Sequence, residues 1–183
     1  MDSISFKANL VNNAVIKYRK PNKLYSDLSV SIVRMTNTKS DQNAIRKIAT
    51  LWRNISGKQE YTFADIMYQR VFNRSSKIIY ALTTQSSNYK KLCPEEVLGM
   101  VEFNHNKKNC IIDCVQTRPD CINSENKNPY KGIGAAMMLS LINLTDCRKF
   151  YLYSKEETMK FYEKLGFKVS NRELSCPLMV YEK

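Results

Sequence analysis

Two of the chain's five glycines stand two residues apart, Gly132 and Gly134, where an irregular stretch (Asn128-Pro129-Tyr130-Lys131) meets the most regular apolar stripe in the sequence. Ile133, Ala136, Met137, Ser140, Leu141 and Leu144 fall on one helical face, and the next apolar run, Phe150 to Tyr153, reads as a short strand. Ahead of the glycines lie three β-rich runs, Lys77 to Thr84, Val97 to Phe103 and Asn109 to Gln116, separated by short polar loops such as His105-Asn106-Lys107-Lys108. Strands joined by short loops pair antiparallel, whereas a strand reached through a helix returns parallel. The pattern therefore predicts a mixed, mostly antiparallel sheet with one parallel crossover, an α/β (more strictly α+β) architecture.

The flanking segments fill in the order of elements. Leu10, Val11, Ala14, Val15 and Tyr18 fit one helical face closed off by Pro21, so residues 1–28 read as a short N-terminal helix or arm ahead of a domain spanning 29–183. Ser29 to Met35 is a β-branched strand. Ser40 or Asp41 then caps a helix carrying Ile45, Ile48, Ala49 and Trp52, and a second helix is expected from Thr62 to about Phe72. Near the end, a helix from Lys155 to Leu165 stops at Gly166, and Leu178 to Tyr181 supplies a last strand.

Charge narrows the partners. The 183 residues contain 29 Lys and Arg against 17 Asp and Glu, a formal +12, with 43% hydrophobic and 10% aromatic residues, a composition that excludes disordered and collagen-like chains. Residues 1–92 hold 16 basic and 5 acidic side chains, so the excess belongs almost entirely to the first half. A field of that sign favours acidic partners such as nucleic acid, acidic proteins or lipid headgroups, or it simply solvates a surface. The longest apolar stretch, Ala135 to Leu144, is interrupted by Ser140 and Asn143 and falls short of the ~20 residues that span a bilayer. With no cationic leader after Met1-Asp2-Ser3, a soluble, cytoplasmic chain is expected, its six cysteines reduced and mostly buried.

Glycines at a helix mouth let backbone N–H groups converge on an anion, where the helix adds about half a positive charge. A P-loop is excluded because Lys131 precedes its Gly instead of following it, and a dinucleotide fingerprint because Met137 stands at the third Gly position. Tyr130-Lys131-Gly132-Ile133-Gly134-Ala135 instead resembles the C-terminal part of the pyrophosphate loop of the GNAT superfamily of N-acetyltransferases. Phe161-Tyr162-Glu163-Lys164-Leu165-Gly166-Phe167 is similar to that family's closing helix-to-strand segment. The resemblance runs over roughly Ser29 to Tyr181. Pro129 departs from it, standing where the family has Arg or Gln, and the polar stretch Arg118 to Asn128 is longer than a minimal crossover.

That resemblance implies a central sheet flanked by helices on both faces, and acetyl-CoA as donor to an amine that attacks its thioester directly. Tyr130, Lys131, Gly132, Ile133, Gly134 and Ala135 would hold the diphosphate, with Lys155 within reach of it, and backbone N–H groups of Val115, Gln116 and Thr117 would face the thioester. Tyr162 is the candidate general acid for the departing thiolate. For the base, Glu102 and then Asp113 are carboxylates set in apolar runs, where desolvation tunes such groups for proton transfer, although each could equally pair with Lys or Arg. The single His105 lies in a polar turn, and Cys110, Cys114 and Cys121 lack zinc-ligand spacing, so no metal is expected; Cys110 and Cys114 should share a strand face. The acceptor is open among proteins, peptides and RNA-linked amines, the oligomeric state between monomer and homodimer. The competing reading is a non-catalytic basic module of the same fold that holds nucleic acid or an acidic protein through residues 1–92.

Overall fold

A computed structural model describes residues 9–22, 24–35, 38–56, 77–122, 129–172 and 175–183. In chain order the elements are β1 (Asn9–Arg19), β2 (Tyr25–Met35), α1 (Lys39–Ser56), β3 (Ile78–Thr83), β4 (Val97–His105), β5 (Asn109–Thr117), β6 (Tyr130–Lys131), α2 (Ile133–Leu144), β7 (Lys149–Tyr153), α3 (Glu156–Lys164), β8 (Lys168–Asn171) and β9 (Leu178–Glu182). The nine strands form one sheet in the order β6-β1-β2-β3-β4-β5-β7-β9-β8. Among the described residues only β5 and β7 run parallel; the helix between them is the expected crossover. The helix expected at Thr62 to Phe72 lies outside the described residues.

Both faces of the sheet are covered by helices. On one face Met137, Met138 and Leu141 of α2 pack against Ile32, Leu82 and Phe103. On the other, Ile45, Ile48 and Trp52 of α1 pack against Val33, Met35 and Ala81. Period-2 alternation along β2 and β3 sends Ile32 and Leu82 to the α2 side and Val33 and Ala81 to the α1 side. Gly99 on β4 is where α2 comes closest: a Cβ there would stand 2.6 Å from the Met137 sulfur and 2.9 Å from Ile133 Cγ2. A helix can rest on the sheet at that point only against a residue without a side chain.

The segment from Leu10 to Tyr18, read above as a helix or arm, is a strand. It pairs with β2 along nearly its whole length, closing through a turn in which Lys20 N–H donates to Leu24 O at 2.8 Å. Val11, Val15 and Ile16 are β-branched and Asn12 and Asn13 are weak helix formers, so an available partner strand outweighs the helical spacing. The hairpin straddles the expected boundary at 28/29, and β2 begins at Tyr25 instead of Ser29. The α1 cap is Thr38, whose Oγ1 accepts the Asp41 N–H at 3.2 Å, so neither Ser40 nor Asp41 fills that role. No helix among the described residues is long and apolar enough to cross a membrane.

Candidate functional site

The parallel pair supplies the site's geometry. β5 and β7 are in register from Asn109↔Lys149 to Ile112↔Leu152 and then part: β7 ends at Tyr153, while β5 runs on to Thr117 held only by β4. At the point of parting β5 carries a bulge, because Phe103 faces Ile112 and Glu102 faces Cys114, leaving Asp113 as the extra residue. The bulge reverses the facing of everything after it. Cys110 and Ile112 lie in the α2-side core and Cys114 in the α1-side core, so the two cysteines expected on one face are on opposite faces. Between the parted strands is a cleft of about 260 Å³, walled by Asp113, Cys114 and Val115 on one side and Tyr153, Lys155 and Tyr162 on the other.

A second feature borders it. Gly132 sits at φ +87, a left-handed conformation that favours glycine, and turns the chain from β6 into α2. Its carbonyl accepts the Ala136 N–H at 2.8 Å, the first bond of the helix, and it has no side chain to cap the amides of Ile133, Gly134 and Ala135. The first turn of α2 contains no acidic residue. These are the donors and the field that an anion needs. The Ile133 side chain is buried against Gly99, so that residue offers only its backbone. Upstream, Tyr130 and Lys131 are clamped to the edge of the sheet, pairing with Tyr18 and Lys17 while Pro129 O accepts the Arg19 N–H at 2.8 Å.

Helix α3 joins the two features through consecutive residues. Phe161 lies against Gly134, where a Cβ would stand 3.0 Å from its ring, and the next residue, Tyr162, lines the cleft. Tyr162 is half-buried and packs edge-to-face on Phe161 and Phe167, at 4.9 and 5.9 Å between centroids. Burial, with a smaller contribution from the Cys114 thiol, pushes its phenol up to about 12. It therefore stays protonated throughout the physiological range.

The two carboxylates proposed for proton removal have different surroundings. Asp113 lines the cleft, but Lys77 Nζ stands 2.8 Å from its Oδ1 and Asn104 Nδ2 donates to its Oδ2 at 3.3 Å. That is the ion-pair fate the sequence left open for it. Glu102 is completely buried on β4, opposite Cys114 and one strand in from the cleft, and is not among the residues that wall it. Val115 reaches the cleft wall; Gln116 and Thr117 continue β5 beyond it. Three contributors were not anticipated from the sequence. Gly99 belongs to no motif, Cys114 needs the bulge to face the cleft, and Phe161 shows no signal of its own within the segment Phe161 to Phe167. Among the described residues no group of three or more His, Cys, Asp or Glu could hold a metal.

Neither a protein-family model nor a curated protein matches the sequence. Solved structures do match. A PaiA N-acetyltransferase from Thermoplasma acidophilum, in complex with coenzyme A, is 14% identical over 85% of this chain and 100% of its own, with a TM-score of 0.55. The Campylobacter jejuni N-acetyltransferase PseH, in complex with acetyl coenzyme A, is 16% identical over 83% and 99%, with a TM-score of 0.53. Tetrahymena GCN5 is 14% identical over 81% and 93%, with a TM-score of 0.52. The fold is that of the GNAT N-acetyltransferases. Identities this low speak for the GNAT architecture alone, and that architecture accounts for the mixed sheet with one parallel pair and the helices on both faces.

Proposed function

We propose that this chain is an N-acetyltransferase that moves an acetyl group from acetyl-CoA to a primary amine by direct attack. One observation carries the reading: the cleft where β5 and β7 part is linked, through Phe161 and Tyr162, to the uncapped and acid-free start of α2. A diphosphate held on the amides of Ile133, Gly134 and Ala135, with Tyr130, Lys131 and Gly132 leading into them, would direct the rest of the carrier along α3 into the cleft. Lys155, exposed at the cleft wall, adds a positive charge there. The coenzyme complexes of the PaiA and PseH proteins support the same ligand for this fold.

The chemistry then divides among named groups. The amine nitrogen bonds to the thioester carbon, the carbonyl electrons move to oxygen, and N–H groups of β5 from Val115 to Thr117 receive the oxyanion. Collapse breaks the carbon–sulfur bond toward the thiolate, to which Tyr162 donates a hydrogen bond. An alkyl thiol near 8.5 and a phenol near 12 differ by enough that complete transfer costs about 5 kcal/mol, so Tyr162 acts chiefly by stabilising charge on sulfur. The amine's proton goes to Glu102 through an intervening water, or to Asp113 at the moments when Lys77 releases it. The acceptor class stays with proteins, peptides and RNA-linked amines, and with the cytoplasm as the compartment.

The test is thermal denaturation with CoA. At 100 times Kd a ligand adds about 2.7 kcal/mol of stability. Wild type should gain it and Gly134→Val should not, because the added side chain collides with Phe161 across the diphosphate seat. Transfer from labelled acetyl-CoA to a panel of amines, peptides and aminoacyl-RNA then reads turnover. A chain that gains nothing from CoA and acetylates nothing is the basic binding module instead.

A further inference from the structure

Among the described residues, and apart from Lys77, whose ammonium pairs with Asp113, the basic excess of the first half lies outside the cleft, and α1 concentrates it. With 100° per residue, Lys39, Arg46, Lys47 and Arg53 fall within an arc of roughly 120° on the side of α1 opposite its buried Ile45, Ile48 and Trp52. All four are exposed. The only acid in the helix, Asp41, is 2% exposed and lies on the buried side. Lys90 and Lys91 join the same end, since Ser40 Oγ donates to the Lys90 carbonyl at 3.2 Å. Beside the cations runs a groove of about 610 Å³, lined by Arg46 and Lys47, by Asn43, Thr50 and Asn54, by the apolar Leu51 and Pro94, and by one carboxylate, Glu95.

We propose that this face of α1 docks the sugar-phosphate backbone of a nucleic acid. A single-sign row of cations interleaved with amide and hydroxyl groups matches phosphate and sugar oxygens, which those side-chain types commonly contact. An acidic protein fits less well. Protein interfaces are anchored by aromatic or aliphatic side chains at their centre. The groove offers only the half-buried Leu51 and Pro94 and no aromatic ring, while the more exposed Ile55 points about 160° away from Lys39 around the helix.

The experiment is fluorescence anisotropy with a labelled single-stranded RNA of mixed sequence, the same sequence as DNA, and a duplex, across a salt series. Four phosphate contacts on a single strand give a log–log slope of about −3, so affinity should fall about fiftyfold between 50 and 200 mM salt. Arg46→Gln/Lys47→Gln should halve the slope, to a loss of about sevenfold, with an unchanged circular dichroism spectrum and melting temperature. Lys164→Gln/Lys168→Gln, exposed on the opposite end of the fold, is the control of equal charge and should leave the slope as it was. RNA bound more tightly than DNA assigns RNA as the source, and the reverse assigns DNA; both support the site. Equal losses in the two double variants, a flat salt response, or equally tight binding of poly-glutamate overturns it. The inference is independent of the acetyl site: wild type that ignores CoA yet binds oligonucleotide removes the acetyl-transfer reading and leaves this one.

Discussion

At the residue scale, the informative side chains are those whose environment contradicts their ordinary chemistry. Tyr162 is a phenol held near 12 inside a cleft, and its substitution separates roles. A hydrogen bond to a charged group is worth about 1.5–3 kcal/mol, so Tyr162→Phe should lower kcat about 10- to 100-fold while calorimetry finds the CoA affinity unchanged. Full activity in that variant would remove the assignment. Gly99 makes the opposite point, a position defined by what it lacks. Gly99→Ala drives a methyl group into Met137 and Ile133, and urea denaturation should register a loss of about 1–3 kcal/mol from overpacking. Neither environment can be read from the chain alone. Tyr162 was legible as a motif residue, but its burial depends on Phe167 and Cys114, while Gly99 acquires meaning only when α2 is laid across β4.

At the scale of elements, one extra residue in β5 decides which groups share the site. The bulge at Asp113 turns Cys114 to the α1 side and Val115 to the α2 side, just where β7 falls away. Asp113 therefore has two separable functions, as a carboxylate and as a spacer. Asp113→Ala removes the pair with Lys77, a partly buried contact worth about 1 kcal/mol. Deleting Asp113 moves residues 114–117 to the wrong faces, since strand side chains alternate with period two, and should cost several times more in denaturant midpoint. Sequence periodicity located β5 to within a residue and located α2, β7 and α3 equally well, because each has a regular apolar pattern. It missed the bulge, the two-residue β6 and the strand character of Leu10 to Tyr18. Those three are fixed by pairing with residues distant in the chain, and pairing leaves no local periodic trace.

For the whole molecule, the buried acids set an upper pH limit. Burial pushes the thiols of Cys110 and Cys121 up to about 12 from 9.0, and the Tyr162 phenol to about 12 from 10.0. Between pH 9 and 12 the folded chain retains protons that the unfolded chain has released. Stability is therefore full below pH 9 and is lost as the pH rises through that window, on the order of 1 kcal/mol per pH unit for each group. Urea midpoints measured at pH 8 and again above pH 10 should fall, and Cys110→Ala/Cys121→Ala should flatten the decline even though it lowers the starting value. The amino-acid order by itself determined a mixed sheet with a single parallel crossover and a glycine-bearing turn into α2 at Gly132-Ile133-Gly134, since strand and helix periods and glycine's conformational range are local properties. Only the tertiary structure decided that β5 and β7 part beside Tyr162, that Asp113 is bound to Lys77, and that Glu102 is buried one strand in from the cleft. Those outcomes depend on which distant segments pack together, and packing is a property of the assembled chain.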